Sequence, residues 1–140
     1  MAIYLNNNPG LKIATVDLSS YVTGITLNLV ADELEVTAAG DTAHKFVAGL
    51  EANTLSIDFL NDWAASQVMA TLRSAYKTTV AVSMITVKGT AVSATNPSYQ
   101  FSILVNNLTP VGSGDITDVA RSSITFTVNT AVVISDSVAF

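Results

Sequence analysis

The side chains with the greatest chemical potential cluster in one charged segment, residues 31–50, which contains the only histidine of the chain. His44 lies close in sequence to Glu35 and Asp41. A histidine beside carboxylates can ligate a metal or transfer a proton. A zinc site needs further nitrogen or thiolate ligands, however, and the chain has no cysteine. We therefore interpret His44 as a surface side chain of an extended, hairpin-like arm and predict no metal site.

The remaining chemistry-bearing patterns are also incomplete. Asp32, Glu33 and Glu35 offer oxygen ligands, but without the spacing of a calcium-binding loop. The chain has no nucleophile elbow, phosphate-binding loop or dinucleotide fingerprint. A serine–histidine–aspartate arrangement would depend on His44 alone. We predict that the protein is not an enzyme and uses no cofactor.

Four stretches of the chain alternate apolar and polar side chains with a period of two, which is the pattern of half-buried β-strands. Ordinary exposed sheet faces carry many charged residues, whereas these polar faces carry hydroxyl and amide groups and one acid, Asp58. Such a face suits a wall past which something slides, or a surface covered by another subunit. The polar-face residues are Thr26, Asn28, Thr54, Ser56, Asp58, Gln100, Ser102, Ser123, Thr125 and Thr127.

Between the second and third of these strands the period changes. Apolar residues at three- and four-residue spacing predict one amphipathic helix over residues 61–76, with Asn61 as its N-cap and Trp63 and Tyr76 as packing residues near its ends. Residues 79–87 are apolar on both faces, which predicts a strand covered on both sides.

The rest of the chain completes a single predicted domain over residues 1–140. Residues 2–5 and 11–16 are short strand candidates, and residues 130–140 form an apolar C-terminal tail. No internal repeat or linker divides the chain. We predict a mainly β fold, a β-sandwich or barrel with one flanking α-helix and a long arm.

Composition limits the partners of this domain. Only 12% of the residues are charged, about half of the usual ~25%, and the mean hydropathy is +0.46. No apolar run approaches the ~18 residues of a membrane span, so we expect no membrane partner. The net charge of −5 and six scattered basic residues disfavour stable nucleic-acid binding. We therefore expect the apolar surface to be covered by further copies of the chain.

The order of these segments resembles the major tail (tail tube) proteins of long, non-contractile-tailed bacteriophages, in a short form, over roughly residues 17–129. No single segment is diagnostic, and the resemblance depends on their order and on the length of the chain. Besides the helix, the segments that carry it are Val22-Thr-Gly-Ile-Thr-Leu27, Asp32-Glu-Leu-Glu-Val-Thr37, Gly40-Asp41, Gly49-Leu-Glu51, Leu55-Ser-Ile-Asp-Phe59 with Asp62, and Thr95-Asn-Pro97.

The resemblance implies a structural virion protein located in the tail and assembled in the host cytoplasm. Six copies would form a ring, and stacked rings would form the tube through which genomic DNA leaves the capsid without specific binding. A tape measure protein and a tail terminator are the implied further partners. Six chains of net charge −5 would give a ring about −30, and Asp58 is the strongest lumen candidate.

In this family the arm and the chain termini commonly join one ring to the next. We therefore expect the acids of the arm to pair with Lys45, Lys12 or Lys88 of neighbouring copies. The inter-subunit candidates on the arm are Asp32, Glu33, Glu35, Asp41, His44 and Lys45.

Two other classes of function compete with the tube. A tail terminator or a capsid decoration protein would also be small, β-rich and self-associating. A free-standing binding module, for example for carbohydrate, would be a monomer with an aromatic-lined cleft. Aromatic residues make up 7% of the chain and are mostly in phase with the predicted core, which argues against such a module.

Overall fold

The computed structural model describes residues 8–111 and 116–140, and strands dominate it. The predicted strand over residues 2–5 lies outside the described residues. The prediction of a mainly β fold with one helix is confirmed. The strands are β1 Gly10–Ile13, β2 Val16–Asp17, β3 Val22–Asn28, β4 Ala31–Glu35, β5 Phe46–Glu51, β6 Thr54–Leu60, β7 Thr79–Ile85, β8 Ser98–Leu104, β9 Arg121–Val128 and β10 Val133–Ser135; the helix α1 is Val68–Ala75 and a 3₁₀ turn covers Ser19–Tyr21.

Eight strands form one antiparallel sheet in the order β2-β1-β7-β8-β9-β6-β3, and β10 pairs with β8. Strands β8 and β9 pair only through Ile103 with Val128 and Leu104 with Thr127. Core residues from both sides of this junction pack into one cluster. The sheet is therefore folded over at the β8–β9 corner into a sandwich, with β2, β1, β7, β8 and β10 in one half and β9, β6 and β3 in the other.

The period-two alternation of the strands builds the core. Every second residue is buried along β6 and along β9 as far as Phe126, and the residues between them are exposed or half-exposed. Burying each large apolar side chain contributes about 1.5–3 kcal/mol. The buried side chains of the two halves include Leu55, Ile57, Phe59, Ile124 and Phe126 from one half and Leu11, Ile13, Val82, Phe101 and Ile103 from the other.

The helix begins at Val68 rather than at the predicted Asn61. Asn61 Oδ1 accepts a hydrogen bond from Ser122 Oγ at 2.8 Å, and the backbone N–H of Asn61 donates to Ala120 O at 3.0 Å. Asn61 thus extends the pairing between the ends of β6 and β9. It does not cap the helix.

A turn separates Asn61 from the helix. The Asp62 carboxylate accepts a hydrogen bond from the N–H of Ala64 at 2.9 Å, which is the local bond that favours turns. Ser66 then adopts a φ of 62°, a left-handed conformation that an α-helix cannot contain. The apolar spacing correctly indicated the buried face of the helix, but turn chemistry decided where it begins.

Two predicted strands differ in detail from the structure. Residues 11–16 divide into β1 and β2, because Ala14 and Thr15 both have positive φ and form a tight two-residue turn. In β7 the side chains of Val82 and Met84 are buried, but Ala81 is exposed. The prediction that this strand is covered on both sides is therefore wrong over its first half.

The C-terminal tail packs on its own chain. The Ser98 hydroxyl donates to the carbonyl of Val138 at 2.6 Å, and Lys12 Nζ donates to the carbonyl of Phe140 at 3.1 Å. The Phe140 ring also lies against Gly10, where a Cβ atom would come within 2.8 Å of Phe140 Cζ. Only glycine allows this approach. Within residues 8–111 and 116–140, no helix is long and apolar enough to cross a membrane.

Candidate assembly surfaces

The predicted arm is a β-hairpin outside the sandwich. Strands β4 and β5 form a separate two-stranded antiparallel sheet, in which Leu34 pairs with Val47 and Glu35 with Phe46. All residues of both strands are exposed except Gly49, which is half-buried. A two-stranded hairpin alone is marginally stable in water, and three strands or a packing partner are normally needed. The arm therefore lacks the burial that would hold it in place.

Large apolar side chains cover this unsupported hairpin. Leu50 sits at the irregularity in the β4–β5 register and is 82% exposed. Leu34 is 51% exposed, and Val36, Phe46 and Val47 are close to half exposed. Exposed apolar side chains concentrated on one element in this way favour a site of protein contact.

A buried amide fixes the base of the arm to the sandwich. Asn53 Oδ1 accepts a hydrogen bond from the N–H of Val30 at 2.8 Å, and the N–H of Ala52 donates to the Val30 carbonyl. The carbonyl of Asn53 in turn accepts from the N–H of Val128. Asn53 Nδ2 is buried and has no hydrogen-bond partner among the described residues. This asparagine was not identified from the sequence, where nothing distinguishes it from the loop asparagines.

The charged residues of the arm pair locally and do not form one cluster. His44 Nδ1 lies 3.0 Å from Glu35 Oε1, and Lys45 Nζ lies 2.6 Å from Asp41 Oδ1. The hydrogen bond from Lys45, together with one from the N–H of Ala38, holds the pKa of Asp41 below its ordinary value. No group of three or more possible metal ligands occurs in the part of the chain that the structure describes.

The two other arm acids have no such partners. Asp32 and Glu33 are exposed, and no ion pair to either is found among the described residues. They lie on opposite faces of the hairpin, because successive side chains of a strand alternate. Asp32 shares its face with Leu34, since a Cβ atom on Gly49 would lie 3.1 Å from both side chains.

The three lysines expected to pair with arm acids of neighbouring copies have partners in their own chain. Lys45 binds Asp41, and Lys12 binds the Phe140 carbonyl and lies over its ring. Lys88 Nζ lies 2.7 Å from Asp17 Oδ2. Desolvation raises the pKa of Asp17, but hydrogen bonds from Lys88 and Ser19 outweigh it and lower this pKa to about 2.

Eight of the ten polar-face residues form one patch on the outer face of β3, β6 and β9. The registers place them in rows across the three strands, and the Ser56 and Thr125 hydroxyl oxygens lie 2.9 Å apart. The rows are Thr26–Ser56–Thr125, Asn28–Thr54–Thr127 and Asp58–Ser123, and the last row continues to Gly24 on β3.

Asp58 is the one charged member of this patch. It is exposed and lies opposite Gly24, where a Cβ atom would approach Asp58 Oδ2 to 2.9 Å. The register shift between Val22 and Gly24 brings the glycine into this position. The Asp58 carboxylate therefore occupies the space over the sheet that a side chain at position 24 would fill.

Gln100 and Ser102 lie apart from the eight-residue patch. Both are on β8, in the other half of the sandwich, beyond the corner at which β8 and β9 meet. Gln100 Nε2 donates to Ser83 Oγ at 2.9 Å, and the N–H of Ser102 donates to Thr130 Oγ1 at 2.9 Å. The period-two alternation correctly predicted which face of β8 carries these two residues. It could not predict which half of the sandwich contains β8.

Two surface depressions were not predicted. An apolar cleft of about 330 Å³ opens between β3 and the β7–β8 pair and is lined by Ile25, Leu27, Met84 and Tyr99 among others. A second groove, of about 360 Å³, runs between α1 and the start of β7. Trp63 stands near it and is 49% exposed, and Tyr76 is 42% exposed, so both predicted packing residues are only partly buried.

Comparison of the chain with models of known protein families and with curated protein sequences finds no match.

Proposed function

We propose that this protein is the subunit of a bacteriophage tail tube, a structural virion protein whose hexameric rings stack into a conduit for genomic DNA. The observation that carries the proposal is the arm. A hairpin with apolar side chains on both faces, outside the only core of the described residues, is stable when another protein covers it. If the arm of one copy binds a different surface of the next copy, the contact is heterologous and builds rings or continuing stacks.

The patch on β3, β6 and β9 supports the choice of a conduit. The eight side chains of the patch carry hydroxyl, amide or carboxylate groups and no cation. They would therefore exert no strong electrostatic attraction on the phosphates of passing DNA. Arg121, at the start of β9, lies on the same face in the next row, opposite Leu60, and is a single cation at the margin of the patch. The chain charge of −5 adds a weak general repulsion.

The free edge of β3 supports ring closure. Among the described residues, β3 is the last strand of the sheet and pairs on one side only, with β6. On its other side no strand of the described residues pairs with β3, and natural proteins normally protect such an edge or use it for strand addition. A neighbouring copy paired at this edge would extend the polar patch around a ring.

Negative-stain electron microscopy of the tag-free protein across a concentration series tests the proposal. We expect hollow tubes or stacked rings, with a fraction in tubes that rises with concentration. Isolated rings at every concentration would favour the tail terminator, and small oligomers would favour the capsid decoration protein. A monomer at millimolar concentration would overturn the proposal and favour a binding module.

A further inference from the structure

The exposed side of α1 carries an unused cation beside an aromatic ring. Arg73 is exposed, lies in the last turn of the helix and forms no ion pair among the described residues. It lines a shallow pocket with Trp63, Ala70 and Ser74. Arginine and tryptophan are the residue types most enriched at the energetic centres of protein interfaces.

A groove adjoins this pocket and shares two of its residues. Ala70 and Ser74 line both depressions, and the groove continues past Ala14 and Thr78 for a volume of about 360 Å³. These side chains are small, so the backbone of a docked extended segment can approach the helix closely. The feature is therefore shaped for a strand or a hairpin edge.

One face of the arm carries the complementary groups. Asp32 has no cationic partner among the described residues, and it shares its face with the exposed side chains of Leu34 and Val47. The lysines that could otherwise bind Asp32, at positions 12, 45 and 88, are engaged within their own chain. Lys77 lies over the Tyr76 ring, with Nζ 5.5 Å from its centroid. Arg121 lies at the start of β9, opposite Leu60. Arg73 is the cation that lies beside an exposed tryptophan and a groove.

We infer that the exposed side of α1 is the receptor for the arm of a second copy of this chain, in which Asp32 pairs with Arg73 and Leu34 and Val47 cover Trp63 and the groove. This inference rests on the proposed function and names the partner of the arm. It replaces the expected pairing of arm acids with Lys12, Lys45 or Lys88.

Charge exchange tests the pairing. Asp32→Arg and Arg73→Asp should each raise the critical concentration for tube formation about tenfold or more, as expected for close charge pairs. The double variant should return it to within about threefold of the unaltered protein. Glu33→Arg with Arg73→Asp is the matched control, because Glu33 lies on the opposite face of the arm, and it should not restore assembly.

Site-specific cross-linking provides a second readout, since the chain has no native cysteine. A tagged Leu34→Cys protein mixed with an untagged Ser74→Cys protein should give a mixed disulfide on oxidation. Ala48→Cys, on the opposite face of the same hairpin, should give none with Ser74→Cys.

The outcomes separate the two proposals. If the unaltered protein forms tubes but neither charge exchange nor cross-linking joins Asp32 and Leu34 to α1, the receptor is wrong and the tube function stands. If the unaltered protein never assembles, both proposals are overturned.

Discussion

At the scale of single residues, buried polar groups and local ion pairs control how the surfaces are held. Asn53 connects the arm to the sandwich through one side-chain oxygen, and Asp17 connects the β1–β2 hairpin to the loop after β7 through Lys88. Neither residue belongs to a predicted site. Each residue fixes a segment, the arm or the β1–β2 hairpin, that strand pairing alone would hold only weakly.

Substitution Asn53→Ala should loosen the base of the arm without unfolding the sandwich. The N–H of Val30 would lose its acceptor in a partly buried hydrogen bond, which costs about 1 kcal/mol. Hydrogen–deuterium exchange should show faster exchange at Val30 and in β4 and β5, and unchanged exchange in β6 and β9. Asn129→Ala, which removes an exposed bond to Thr79, is the control and should leave the arm unchanged. Equal exchange in both variants would contradict the anchoring role.

The ion pair between Asp17 and Lys88 should make stability fall in acid. The pKa of Asp17 is lowered from 3.8 to about 2 by folding, so its stabilisation is complete above pH 4 and is lost as the pH falls towards 2. Because both side chains are more than a third exposed, we expect about 1 kcal/mol or less. Urea titrations should show a difference between the unaltered protein and Asp17→Asn at pH 5 that disappears near pH 2. A difference that persists at pH 2 would contradict this assignment.

At the scale of elements, the arm and the polar sheet face expose surfaces of opposite polarity. The arm exposes apolar groups that need cover, whereas the outer face of β3, β6 and β9 is polar, nearly uncharged and suited to remain wet. In the proposed tube the first surface joins subunits and the second lines the lumen.

Removal of the arm should separate folding from assembly. Asn28 and Thr54 are direct partners in the β3–β6 pair, so replacement of residues 31–50 by Asn-Gly leaves a feasible connection. We expect an unchanged circular dichroism spectrum per strand residue, a cooperative unfolding transition and no tubes. A scrambled arm that keeps the composition of residues 31–50 is the control for chain length. Normal tubes from the shortened chain would refute the role of the arm.

A cysteine at Thr125 should distinguish the lumen from the outer surface. In assembled tubes, Thr125→Cys should react with a small maleimide but be protected from a maleimide carried on a large protein, because access is only through the tube ends. Asp136→Cys is the comparison variant, because Asp136 is exposed on the C-terminal tail, in the other half of the sandwich. Free reaction of Thr125→Cys with the large reagent in intact tubes would place the patch on the outside.

At the scale of the whole molecule, low charge and unsupported apolar surface make stability dependent on assembly. Any partner that binds only the folded chain raises its apparent stability by mass action. The melting temperature of the unaltered protein should therefore rise with protein concentration, whereas that of the arm-shortened chain should not. Calorimetry over a hundredfold concentration range measures both, and parallel behaviour of the two proteins would contradict an arm-driven assembly.

Local chemistry was enough to predict the β-rich class, the single helix, the inward face of each alternating strand and the hairpin character of the arm. These properties depend on residue periodicity and turn residues, which act over a few neighbours. The helix start was missed because the Asp62 turn and the left-handed Ser66 override the apolar spacing.

Only the tertiary structure decided which surfaces belong together. Alternation gives a face for each strand, but the fold at the β8–β9 corner separates Gln100 and Ser102 from the eight-residue patch. Likewise, a list of acids and bases does not say which are satisfied: Lys12 meets a carbonyl 128 residues away in sequence, while Asp32 meets no cation among the described residues. Strand order and long-range pairing are set by the packing of the whole core, which no local pattern encodes.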